Sequence, residues 1–199
     1  MSAADPAIRR GLAALAALYG PYALAATAAS GLGLFGLVHQ NVFAGVVAAA
    51  TAGLVIATFR VPAIRALAEA LGPWGLAAFH VWRVPAALVF YAWGAQGLLP
   101  ETFVALAGTG DLIAGLLAGL VLVLPRRRWI VTAFHLLGMA DFIVAVGTGI
   151  TLTLLAVPEM AAITALPVSL IPLVGVPLSG ATHVAALAML LAPGRRAPA

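Results

Sequence analysis

Two aspartates stand in the same local pattern, Gly108-Thr109-Gly110-Asp111-Leu112-Ile113 and Gly138-Met139-Ala140-Asp141-Phe142-Ile143, each near the middle of an apolar stretch long enough to cross a bilayer. A carboxylate at that depth costs about 3 kcal/mol even on insertion scales, so it is kept only where it is paired, protonated or used. Arg83 lies inside another apolar stretch. It either snorkels to the interface or takes Asp111 or Asp141 as counter-charge. One arginine facing two carboxylates leaves a surplus negative charge, and adjacent carboxylates resist joint ionisation, so one aspartate is expected to carry a proton at neutral pH. Such a site exchanges a proton or accepts a cationic group. The plainer alternative is an ion pair that only ties three helices together.

His80 precedes Arg83 by three residues and shares its helical face. His135 and His183 come from two further stretches at similar depth, about 9 to 14 Å inside the apolar boundary at a rise of about 1.5 Å per residue. Three imidazoles from three helices have the means to bind a metal, and any facing pair among His80, His135 and His183 could ligate a b-type haem with Arg83 near a propionate. His135 and Asp141 are on different faces, and no His-x-x-x-His pair or carboxylate spacing supports a metal, so no metal is expected and no cofactor is favoured. Each histidine's simpler role is a hydrogen bond to a neighbouring helix. Ser179 shares a face with Pro172, Val176 and His183 in the last stretch, where Pro167, Pro172 and Pro177 free carbonyls that a neighbour, water or ligand must satisfy. His39, beside Gln40 and Asn41, reads as a solvated turn residue. Trp82 and Trp93 read as a packing stripe, and Trp74 and Trp129 as interfacial anchors.

Gly108-Thr109-Gly110-Asp111 resembles the Gly-x-Gly-Asp motif of the intramembrane aspartyl proteases, the presenilin and prepilin-peptidase group. That resemblance implies two membrane aspartates sharing a proton to activate water, with Asp141 as the partner. Only Asp111 maps onto the motif. Asp141 follows it rather than preceding it, and Ala165-Leu166-Pro167 reverses the Pro-Ala-Leu element of those families.

The elements that position these residues follow from composition. The 199 residues are 64% hydrophobic and 8% charged, with a mean hydropathy of +1.13, far from the roughly one-quarter charged residues of a soluble domain. With no Cys there are no disulfides, thiolate metal sites or cysteine nucleophiles, and with no Lys there is no retinal or pyridoxal Schiff base. All ten cations are arginine, and with abundant Ala and Gly this is the composition of a high-GC bacterial genome. The net charge of +4 is not a nucleic-acid signal, because the arginines lie at segment ends, where they set topology.

Apolar stretches run Gly11 to Val38, Val42 to Phe59, Trp74 to Leu98, Thr102 to Leu124, Trp129 to Ala156 and Pro167 to Ala192. At about 20 residues per span, they predict an all-α integral membrane bundle of six transmembrane helices in one domain over residues 1–199. Arg9 and Arg10, Arg60 and Arg65, Arg126 to Arg128, and Arg195 with Arg196 then fall on one side, which places both termini in the cytoplasm of a bacterial inner membrane. Arg9-Arg10 ahead of Ala26-Thr27-Ala28 also fits a secretory signal, but the apolar run is longer than a signal core, so the first helix is expected to be retained. Ile64, Leu67, Ala68 and Leu71 beside Arg65 and Glu69 predict a short interfacial helix before the third span. Gly115 and Gly119 after Asp111, and Ala145 and Gly149 after Asp141, predict that spans four and five pack closely as a local inverted repeat.

The expected function is a polytopic membrane protein that binds or moves a proton-coupled small polar solute. Asp111 and Asp141 titrate, Arg83 is counter-ion or anion contact, and His80, His135 and Ser179 are hydrogen-bonding lining. The alternatives are a haem-bearing electron-transfer subunit, with His80, His135 and His183 as possible ligands, a scaffold subunit of a homo-oligomer or larger membrane complex, and the aspartyl protease. The bilayer is the one certain partner. The absence of Cys makes topology directly testable: Glu101→Cys is expected to react with an impermeant maleimide from outside, and Arg127→Cys only from the cytoplasmic side. Labelling of position 101 from the cytoplasm alone would overturn the orientation.

Overall fold

The structure is a computed structural model and describes residues 5–192. Among them every regular element is helical. Six helices are long and apolar enough to cross a membrane: α1 (Pro6–Gly31), α2 (Gln40–Arg60), α3 (Pro62–Gly94), α4 (Glu101–Val123), α5 (Arg128–Leu154) and α6 (Ile171–Leu191). Each expected stretch holds one of them. Arg195 and Arg196 lie outside the described residues.

Local chemistry sets most boundaries. Asp5 caps α1 by accepting a hydrogen bond from the Ala7 N–H at 2.8 Å, with Pro6 in the first turn. His39 caps α2 in the same way, its Nδ1 accepting from the Asn41 N–H at 3.3 Å, which gives the supposed solvated histidine a structural task. α1 stops at Gly31 rather than Val38, because Gly33 at φ 69° turns the chain into a short 3-10 segment, Leu34–Leu37. Pro62 ends α2 and starts α3, and Leu124, extended before Pro125, ends α4.

α3 consists of two helical legs broken at Gly72 (φ 63°, ψ 175°), a non-helical residue, and Pro73 starts the second leg, so the short helix expected before the third span is present as a separate leg. The apolar face of its first leg packs within the bundle: Leu67 lies at Gly11 of α1, and Ala68 joins Ala185 and Ala186 of α6. The expected contact faces of α4 and α5 shift. A Cβ at Gly115 would meet the Val84 backbone nitrogen of α3 at 2.7 Å, Gly119 faces open space, and Gly149 only touches Phe103 at 3.4 Å. The close approach of α4 to α5 comes instead at Gly110, where the Asp141 carboxylate fills the place of the missing side chain.

α6 is the central helix. Of its most apolar window 56% is buried, against 11% for α1, and it packs on α2, α3 and α5. Gly180, Ala181, Ala185 and Ala186 are all buried and allow those neighbours close. Pro177 has no N–H to offer the Leu173 carbonyl one turn earlier. The hydroxyls of Tyr19 and Tyr22 donate to that oxygen at 3.2 and 3.0 Å, so the proline that weakens α6 creates the polar seat for α1. Large apolar side chains such as Leu24, Leu88, Leu116, Leu137 and Ile143 face outward while Arg83, Asp111 and three histidines are buried. That inside-out pattern suits lipid.

The seat of α1 yields a packing prediction. Gly11→Ala places a methyl against Leu67 and 2.8 Å from the Ala63 carbonyl, so thermal unfolding in detergent should show a loss of about 1–3 kcal/mol. Gly20→Ala, with nothing within 4 Å of the added Cβ, should be neutral or slightly stabilising.

Candidate functional site

Arg83 begins the last helical leg of α3, directly after a 3-10 turn formed by His80–Trp82. It is 3% exposed. Its Nε donates to Asp111 Oδ1 on α4 at 2.6 Å, and its Nη2 donates to Asp141 Oδ2 on α5. Two glycines make this possible. Gly115, one turn beyond Asp111, lets α4 rest on the backbone at Arg83 and Val84, and Gly110 leaves room for the Asp141 carboxylate. Nη1 is buried with no hydrogen-bond partner.

The ion pairs border a partly open cavity of about 360 Å³ lined by α2 to α6 and the Pro158–Thr164 segment. Its walls are mostly apolar, with Phe43, Val47, Trp82, Phe90, Phe142 and Met160 among them, and its polar lining is Arg83, Asp111, Ser179, Thr51 and Thr153. Ser179 Oγ is buried without a partner. A π-helical segment adjoins the cavity in each of two helices, Val104–Gly108 before Asp111 and Ile171–Gly175 before Ser179. Such bulges often mark functional positions, because they re-aim the following side chains. Gly175 accommodates the Trp82 ring, which fills the space a Cβ would need.

One turn from this centre, His80, His135 and His183 converge, all of them fully buried. His80 stacks on His183 with ring centroids 3.8 Å apart, and His135 Nδ1 lies 3.0 Å from His183 Nδ1. His135 Nε2 donates to the Pro73 carbonyl at 3.0 Å, and His80 Nε2 meets the Thr182 hydroxyl at 3.1 Å. Phe134 packs edge-on against His80 and His135.

The seven residues singled out from sequence thus form two adjoining groups: Arg83, Asp111, Asp141 and Ser179 at the cavity or its ion pairs, and the three histidines beside them. Arg83 does not snorkel. The three histidines named as alternative haem ligands lie against one another, His80 stacked on His183 and His135 Nδ1 at 3.0 Å from His183 Nδ1. Both carboxylates are directed to Arg83, a guanidinium that the resemblance to aspartyl proteases does not include. Sequence reasoning missed Trp82 as a cavity wall, although its place beside Arg83 was a signal, and Thr182 and the Pro73 carbonyl as histidine partners. Of the two tryptophans read as interfacial anchors, Trp74 packs against the cluster of Val131, Phe134 and Leu190, and Trp129 is 68% exposed.

Residues 40–191 match a family described as a domain of unknown function (DUF8737), and the chain belongs to that family. The match takes in the whole polar core and leaves α1 outside. No curated protein and no solved structure matches the chain.

Arg83→Gln strands the buried Asp111 carboxylate and the part-buried Asp141 carboxylate, so it is expected to destabilise the protein by about 3–5 kcal/mol. Adding Asp111→Asn or Asp141→Asn should restore part of that loss in thermal unfolding in detergent. No recovery in either double variant would show that the ion pairs do not carry this stability.

Proposed function

We propose that the protein binds a small solute with a hydrogen-bond-accepting, carboxylate-like head and an apolar body, and takes up a proton as it does so. The observation that carries this reading is the set of three unsatisfied buried donors, Trp82 Nε1, Arg83 Nη1 and Ser179 Oγ, in residues lining one largely apolar cavity. A buried donor left unpaired costs about 1–3 kcal/mol, a cost that a ligand oxygen removes. The apolar walls refine the expected solute from merely polar to amphipathic. Scaled from a cavity of about 150 Å³ that holds benzene, the volume suits on the order of a dozen non-hydrogen atoms.

Charge balance supplies the proton coupling. An anionic head at Arg83 competes with Asp111 and Asp141 for one guanidinium, and in low dielectric the added negative charge is tolerated only if a carboxylate takes up a proton. The displaced aspartate is the acceptor, so solute and proton enter together and the net charge of the core is unchanged. If the cavity opens alternately to the two membrane faces, the same event moves both across. The π-helical segments beside Asp111 and Ser179 are suitable hinges for such opening. This reading places the chain in a bacterial cytoplasmic membrane with the arginine-bearing end of the bundle inside.

The test compares octanoate and cinnamate with octanol and octylamine, using the purified protein in detergent. The carboxylates are expected to raise the unfolding temperature and, in weakly buffered solution, to draw about one proton per bound ligand. Ser179→Ala should weaken binding by about tenfold, the loss of one hydrogen bond worth about 1.4 kcal/mol. Stabilisation by octylamine but not by the acids would overturn the proposal, as would carboxylate binding without proton uptake.

A further inference from the structure

The histidine cluster takes no part in the reading above, and its hydrogen bonds fix more than they first show. A carbonyl can only accept, so His135 Nε2 carries the proton given to Pro73 and its Nδ1 keeps a free lone pair. His183 Nδ1 must then donate to His135 Nδ1, which leaves His183 Nε2 as a lone pair, buried and unpartnered. The Thr182 hydroxyl hydrogen is directed to the Leu178 carbonyl at 2.8 Å, so its oxygen accepts from His80 Nε2. His80 Nδ1 is therefore a second lone pair, buried and unpartnered. Three neutral imidazoles thus present basic nitrogens with nothing among the described residues to satisfy two of them.

We propose that His80, His135 and His183 form a binding site for one late first-row transition-metal ion, zinc or copper. One nitrogen from each ring lies within 4.8 Å of the others. In a tetrahedral site with bonds of about 2.1 Å, ligand nitrogens stand about 3.4 Å apart, so each ring has to move by less than about 1 Å. His80 and His183 rotate off their stack as they close on the ion. His183 shifts its proton from Nδ1 to Nε2, which leaves all three ligands neutral and releases no proton.

The second shell is already in place for two of the three ligands. Metal-ligating histidines characteristically donate their other N–H to a carbonyl or hydroxyl, which fixes tautomer and orientation. His135 does so to Pro73 and His80 to Thr182. The Pro73 carbonyl is held at the α3 bend by Gly72. Gly138, one turn after His135, has no Cβ because the His183 ring occupies that space. An all-imidazole set with no thiolate and no carboxylate suits zinc and copper among common metals. Counter-charge is one turn away, where Asp111 and Asp141 outnumber Arg83. Three protein ligands leave a coordination position open, as in catalytic rather than structural zinc sites.

The experiment uses the full chain, purified without a polyhistidine tag and equilibrated separately with zinc, with copper under reducing conditions and with cobalt, each against a competing chelator. Wild type is expected to hold one ion per chain, and the cobalt form to show the intense visible bands of a four-coordinate nitrogen site. His80→Gln and His135→Gln keep a side-chain N–H for Thr182 and Pro73, so they should fold yet bind about 100-fold more weakly. Thr182→Val, which touches no ion, should weaken binding about 10- to 100-fold. His39→Gln, at an exposed cap, should bind as wild type does. Preference for zinc over reduced copper, or the reverse, identifies the ion. Metal content unchanged by His80→Gln and His135→Gln, or no ion retained by folded wild type, would overturn the proposal.

Discussion

Arg83 carries a full positive charge on a helix whose outward neighbours are apolar, and that charge is sustainable only because Asp111 and Asp141 reach it from two other helices. Removing one partner of such a group is far more damaging than replacing all of them, so three helices are tied to one point. The tie dictates unusual backbone proximity. α4 must rest on the α3 backbone at Arg83, which requires Gly115, and α5 must bring a carboxylate against α4, which requires Gly110. Small residues are therefore found where the charge network needs them rather than along the shared seam that their periodicity suggested.

The same constraint leaves a space. With α3, α4 and α5 drawn together at the ion pairs, α2 and α6 close the bundle through residues of different sizes, and they leave a cavity flanked by Phe43, Phe90 and Phe142. α6 adapts to that role by giving up regular geometry: a π-helical segment precedes Ser179, and Pro177 leaves the Leu173 carbonyl to the tyrosines of α1. The irregular positions of the bundle thus adjoin its polar ones. Local departures from ideal helix concentrate where function is expected to demand them.

What the sequence revealed, and what it did not, divides along one physical line. Hydropathy over about 20 residues and arginine placement are strong, local signals, so six helices could be counted without tertiary knowledge. The convergence of Arg83 with Asp111 and Asp141 was legible because isolated charge in lipid has few affordable solutions. Helix rotation was not legible. Whether His80, His135 and His183 meet depends on the angle at which each helix presents its face, which packing sets and local sequence does not. The break at Gly72-Pro73 was legible, because a glycine followed by a proline ends one helical leg and starts the next. Trp82 and Trp93 pack on one core cluster, as their spacing suggested, but that Trp82 also walls the cavity depends on packing that local sequence does not set.

The 3-10 turn of His80–Trp82 relates the two polar centres. With three residues per turn rather than 3.6, side chains three apart are eclipsed, so His80 and Arg83 project along one line of α3. On α6, Ser179 and His183 are four apart in regular helix and likewise share a face. The cavity and the histidine cluster are therefore successive layers of a single α3–α6 contact, joined by His80 stacked on His183. On the two proposed readings, a ligand head that drew Arg83 toward the cavity would pull on the segment that orients His80, and rings that rotated to close on an ion would shift the helices that carry Arg83 and Ser179. Coupling between the two proposed sites would need no long pathway, because one turn of α3 belongs to both.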